Sequence, residues 1–193
     1  MKKIILVALV CLFTLSIHAK SKIDRTIYGC TLGVTTSEQA EDILDKQGYF
    51  KLGGGDMIIL FNPKYADQKW LVAAFQFENG VLDAVMFIQS NTNIFAKLFE
   101  GVKAIPMVDK LINKMTGDST PQELDPLYQK LKKWAKSEYD GCKFKEVTDA
   151  DLKKDSQLPK RSFIYTDGRV AMAVVSLNVG ESIEILSLGY TLK

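Results

Sequence analysis

One histidine, three cysteines and 23 carboxylates set the chemistry open to this 193-residue chain. Catalysis of the Ser-His-Asp or Cys-His kind, the usual zinc sites and an imidazole proton switch all need a histidine in the working protein. The only one, His18, lies in a stretch that reads as a removable leader. Lys2 and Lys3 supply its positive start, and Ile4 to Leu15 form an apolar run too short to span a bilayer comfortably. Ala19 is a small residue at a suitable cleavage point. The working chain, residues 20–193, is therefore expected to be periplasmic or secreted after a cut following Ala19, and to contain no histidine.

The same cut removes Cys11. That residue fits a lipid attachment site poorly, because Leu9 and Val10 precede it and Leu12, Phe13 and Leu15 continue the apolar run. Cys30 and Cys142 remain. An oxidising compartment favours bonding them to each other, and a loop of that length is worth roughly 4–5 kcal/mol. Two separately buried thiols are the other reading. Neither is expected to act as a nucleophile without a histidine to activate it.

Carboxylates alone can hydrolyse glycosidic bonds, but no spacing singles out a pair among the 23, and no catalytic residue is assigned. Asp149, Asp151 and Asp155 have the spacing of a calcium loop. Lys153 occupies the next ligand position, however, and the turn glycine is missing. The acidic first turn of a helix capped by Thr148 accounts for them better. Gly53-Gly54-Gly55 could present N–H groups to an anion, yet a phosphate loop ends in Gly-Lys-Ser/Thr and opens a helix. Here Asp56 and a strand follow, so a flexible connection is expected. Lys130, Lys132, Lys133 and Lys136 read as a solvated helix surface. No metal or cofactor is expected.

Aromatic residues are the remaining candidates. Trp70, Val72 and Ala74 alternate with Leu71, Ala73, Phe75 and Phe77. Opposite them, Leu82, Ala84, Met86 and Ile88 alternate with Val81, Val85 and Phe87. Both faces of this hairpin are apolar, whereas a sheet with helices on one side should show a polar second face. Either the second face is covered too or it binds something. In the latter case Trp70, Phe75, Phe77 and Phe87 are the binding candidates.

The elements that would hold these residues follow from periodicity. A strand is expected over 23–30, then a helix with Thr35 as N-cap, Glu38 completing a capping box, and Gly48 at its stop. Strands over 57–61 and 69–78 precede Asn79-Gly80, a strong hairpin signal, and a return strand over 81–89. Helices fit 94–116, where Ile94, Leu98 and Val102, then Val108, Leu111 and Met115, recur at helical spacing. Another helix places Leu124, Leu127, Tyr128, Leu131, Trp134 and Ala135 on one face. Strands over 161–166 and 169–177 flank Asp167-Gly168, and the last strand runs over 183–192 after a turn near Gly180-Glu181. This order predicts an α+β fold with a largely antiparallel sheet, as one domain of two α-β-β-β units (about 23–90 and 120–193) joined by the helices of 94–116.

Gly33-Val34-Thr35 followed by Glu38, Leu44 and a hairpin resembles the opening of outer-membrane-assembly lipoproteins of the SmpA/OmlA type and of the related β-lactamase-inhibitor-protein-like fold. Tyr128 through Lys132-Lys133 to Tyr139 and Gly141 is similar to a helix in exported Bacteroidetes proteins of that fold. The resemblance implies helices on one face of an antiparallel sheet, in tandem units, within the cell envelope. The chain lacks the lipoproteins' attachment cysteine, and no residue carries over inhibition of a β-lactamase.

Loss of Lys2 and Lys3 from the 25 basic residues leaves them equal in number to the 23 acidic ones. Neutrality gives no reason to expect nucleic acid as a partner, and no second apolar run is long enough for a transmembrane helix. The expected function is recognition of an envelope protein or ligand through the sheet, without catalysis. An envelope assembly or structural factor and a histidine-free carboxylate hydrolase of surface glycans are the alternatives.

Overall fold

The computed structural model describes residues 22–92, 123–147, 161–179 and 183–193. The expected leader (1–19), the helices of 94–116, the Asp149–Asp155 segment and the turn near Gly180 fall outside the described residues. Two short strands, β1 (Thr26–Ile27) and β2 (Cys30–Thr31), turn about Tyr28-Gly29 and replace the single strand expected over 23–30. The helix α1 (Ser37–Lys46) begins one residue later than expected. Thr36 is the N-cap, and its box is closed by Gln39. The neighbouring Thr35 hydroxyl is already engaged, accepting the Thr31 N–H at 2.7 Å.

Eight strands form one antiparallel sheet. The first four are β3 (Lys51–Gly54), β4 (Met57–Phe61), β7 (Val72–Glu78) and β8 (Val81–Ser90). A small separate hairpin, β5 (Lys64–Tyr65) and β6 (Gln68–Lys69), interrupts them. The other four, β9 (Lys143–Glu146), β10 (Arg161–Thr166), β11 (Val170–Val179) and β12 (Ile183–Leu192), follow the second helix, α2 (Leu124–Glu138). The spatial order is β3-β4-β7-β8-β12-β11-β10-β9, so each half runs from edge to centre and the final strands of the two halves pair at the seam. Each half therefore holds four strands of the large sheet where three were expected. Gly53 and Gly54, read as a connection, belong to edge strand β3. The short, charged Lys143–Glu146 segment supplies the opposite edge. Charged side chains on a short edge strand discourage pairing with another chain.

Alternation along the strands divides the sheet into two faces. On one face Ile58, Leu60, Ala73, Phe75, Phe77, Leu82, Val85, Phe87, Phe163, Met172, Val174, Leu186, Leu188 and Tyr190 are buried in a single core spanning both halves. Helix α1 packs on β3 and β4, and α2 on β11 and β12. The α2 stripe behaves as its spacing predicts: Leu124, Leu127, Tyr128, Leu131 and Ala135 are buried, and Trp134 packs half-buried against the core. At 3.6 residues per turn these positions share one side, leaving Lys130, Lys133 and Lys136 in solvent.

Two polar arrangements lie inside this layer. Tyr190 Oη hydrogen-bonds Tyr139 Oη at 2.9 Å and accepts from Tyr65 Oη at 3.2 Å, linking β12, the end of α2 and the β5–β6 hairpin. Arg161 stacks its guanidinium over the Tyr128 ring, 4.5 Å from the centroid, and pairs with Asp125 and with Glu184 at 3.2 Å. Glu184 also accepts from Ser176 Oγ at 2.7 Å. Arg161 thus ties the start of α2 to β10, β11 and β12. Both Arg161 and Glu184 are mostly withdrawn from water, so Arg161→Ala takes a charged contact away from a poorly hydrated carboxylate. We expect that variant to lose about 2–3 kcal/mol in urea unfolding, while the exposed Lys130→Ala changes stability by less than about 0.5 kcal/mol.

Candidate functional site

The four aromatic binding candidates lie in the core. Trp70, Phe75 and Phe87 are fully buried and Phe77 nearly so, all in the main core. Trp70 separates from Val72 because the chain bends at Leu71. The Trp70 indole N–H reaches back to Tyr65 O at 3.0 Å, while the Leu71 N–H bonds Ile88 O. Phe87 stacks on Tyr65 with centroids 4.4 Å apart and planes 8° from parallel. All four side chains are packed in the core and withdrawn from solvent.

The second face is different in kind. Among the described residues no helix packs on it, and it exposes large apolar side chains: Leu52 (44%), Met57 (45%), Met86 (41%), Ile164 (37%) and Leu177 (40%). Half-buried Ile59, Ala74, Ile88, Ala173, Val175 and Ile185 fill the ground between them. At one corner Phe61, Leu71 and Val72 form a small buried cluster with Phe50, Ile59 and Ile88. Periodicity placed apolar residues on both faces of β7 and β8, and that held. It could not say which face the helices would take.

Eight strands about 4.8 Å apart span about 34 Å, and the paired lengths run about 20 Å, on the order of 700 Å² in projection. That is close to the roughly 800 Å² each partner contributes to a standard protein–protein interface. The face is aliphatic and methionine-rich, suiting an adaptable contact more than an oriented small ligand.

A second concavity of about 390 Å³ lies where α2 meets β9 and β10, lined by Lys132, Lys136, Tyr139, Asp140, Cys142, Phe144, Glu146 and Tyr165. Both Glu146 oxygens accept from Lys132 Nζ, at 2.6 and 2.8 Å. The Cys142 thiol is half-buried in this wall, and burial, reinforced by the Asp167 carboxylate, raises its pKa. Cys30 is buried in the core, which pushes its thiol up to about 11. Both thiols are free in the structure: Cys30 opens β2 and Cys142 lies in the turn after α2. Their raised pKa values keep both in the weakly nucleophilic thiol form.

Among the described residues no group of three His, Cys, Asp or Glu side chains could hold a metal ion. No helix among them is long and apolar enough to cross a membrane. No protein-family model, curated protein or solved structure matches the chain.

Proposed function

We propose that this is an exported, non-catalytic binding protein of the cell envelope that recognises an apolar surface of a protein partner through its open sheet face. The carrying observation is the spread of Leu52, Met57, Met86, Ile164 and Leu177, all exposed, across both halves of one continuous sheet. Exposed apolar patches of this breadth are uncommon on soluble monomers and usually mark contact surfaces. A working chain without histidine, left by removal of residues 1–19, is in keeping with recognition in the periplasm or outside the cell. The helix followed by four strands in each half supports a tandem, β-lactamase-inhibitor-protein-like organisation. An envelope assembly factor would use the same face. The carboxylate-hydrolase alternative has less support: Asp140 and Glu146 share a cleft, but Asp140 is exposed and Lys132 neutralises Glu146.

The test is a photo-reactive benzoylphenylalanine placed at position 86 on the open face, or at position 130 on the outside of α2, in the exporting cell. The reading expects position 86 alone to cross-link a discrete partner. The purified partner should then bind the wild-type chain and lose at least about tenfold in affinity to Ile164→Asp, a central apolar contact replaced by a charge. Cross-links from position 86 that stay within the chain, to residues 93–122 or 148–160, would overturn it. So would cross-links to a second copy, or none.

A further inference from the structure

The concavity beside α2 is lined on the opposite plan to the sheet face. Its most exposed large apolar group is an aromatic ring: Phe144, on edge strand β9, is 48% exposed. The ring is fixed in place, with its centroid 4.9 Å from Tyr165 and 6.4 Å from Phe163. Around it stand polar groups of both signs. Lys136 and Asp140 are exposed and, among the described residues, form no ion pair. The Tyr165 hydroxyl likewise makes no hydrogen bond among the described residues. Lys132 and Glu146 cancel each other's charge along the remaining side.

We propose that this cleft is a carbohydrate-binding site, in which one sugar ring lies against the Phe144 ring and its hydroxyls meet Lys136, Asp140 and the Tyr165 hydroxyl. The volume falls within the range of about 300–1,000 Å³ usual for small-ligand sites. A flat ring gives apolar contact at little entropic cost, while a free donor and a free acceptor on the same rim suit a neutral polyhydroxylated ligand. An anionic ligand would meet the Asp140 carboxylate, and a purely apolar one would strip water from two unpaired charges. Burial, with Glu146 and Asp140 close by, raises the Tyr165 pKa, so its hydroxyl stays protonated and able to donate. The site is separate from the open sheet face and does not depend on it.

The test is amide NMR titration of the working chain with glucose and with N-acetylglucosamine, beside 1-naphthalenesulfonate as an anionic aromatic control. The proposal expects a saccharide at millimolar concentration to shift the amides of Gly141, Cys142 and Phe144. Phe144→Ser should weaken binding about tenfold, the scale of a lost ring contact. Lys136→Met and Asp140→Asn should each weaken it, and Met86→Glu on the sheet face should leave it unchanged. Three outcomes would overturn the proposal: no shift at tens of millimolar saccharide, equal shifts in Phe144→Ser, or binding of the naphthalenesulfonate with none of the sugars. Loss of saccharide binding in Met86→Glu would also overturn it, by moving the contact to the other face.

Discussion

Phe87→Ala is expected to cost about 3–5 kcal/mol, a large share of the roughly 5–15 kcal/mol that holds a typical domain folded. The ring is fully buried on a central strand, stacked on Tyr65, with Trp70 5.7 Å and Tyr28 6.2 Å away. Strand pairing sets it opposite Ala73 on one side and Leu188 on the other, so the space left behind is walled by both halves of the molecule. The surrounding rings are held by their own hydrogen bonds, Tyr65 to Tyr190 and Trp70 to Tyr65 O, which limits collapse into the cavity. Urea unfolding checks this through the midpoint at constant slope. The adjacent Met86 points to the other face and is 41% exposed, so Met86→Glu should change stability by no more than about 0.5 kcal/mol. Similar costs for the two substitutions would mean that the sheet faces have been assigned wrongly.

A second large effect is expected at high pH. Tyr139 and Tyr190 are buried, and burial is the leading cause that raises both phenols above the ordinary value of 10.0. Tyr65 and Tyr28 are raised for the same leading reason. Below pH 10 the phenols are protonated whether the chain is folded or not, and they contribute no pH dependence. Above pH 10 the unfolded chain releases protons that the folded chain keeps. The unfolded state then binds fewer protons, and stability falls as pH rises. Each fully buried phenol contributes a slope of about 1.4 kcal/mol per pH unit until its folded pKa is reached. From pH 10 to pH 12 Tyr139 and Tyr190 together remove about 5 kcal/mol, the lower end of the stability of a typical domain, and Tyr65 and Tyr28 add to that loss. Absorbance at 295 nm should therefore show these tyrosines ionising in one cooperative step that coincides with loss of the far-ultraviolet circular dichroism. Gradual ionisation near pH 10 with the fold intact would contradict burial of the pair.

Elements governed by local spacing were legible in the residues. The α2 stripe is buried where 3.6-residue periodicity puts it, and Asn79-Gly80 adopts the two positive φ values, 53° and 77°, that its turn requires. The strands over 57–61, 161–166 and 183–192 have the bounds read for them. The two edge strands were not legible. Lys51–Gly54 and Lys143–Glu146 carry glycine or alternating charge because an edge has only one neighbour to satisfy and another chain to repel. The N-cap slipped by one because Thr35 with Glu38 and Thr36 with Gln39 both fit the capping pattern. A hydrogen bond within the preceding turn, from the Thr31 N–H to the Thr35 hydroxyl, decides between them. The burial of Trp70, Phe75, Phe77 and Phe87 was not legible for a related reason. Period two tells which side chains share a face, but the face that helices cover depends on where the chain goes after the strand. Whether Cys30 and Cys142 meet is a question of the same tertiary kind.

The seam between β8 and β12 also shapes how the molecule can assemble. Within each half the strands pair with neighbours close in the chain. At the seam Ser90 meets Ile185 and Ala84 meets Thr191, roughly a hundred positions apart. Closing so long a loop carries a conformational entropy cost that local hairpins avoid. The two meanders can therefore gain structure independently, and the step that unites them is the search of β8 and β12 for their register. Until that search ends, both centre strands present unpaired backbone edges and their apolar rows to solvent. The newly made chain is then most exposed to mispairing with other chains at the middle of its future sheet, not at the short strands that will become its borders.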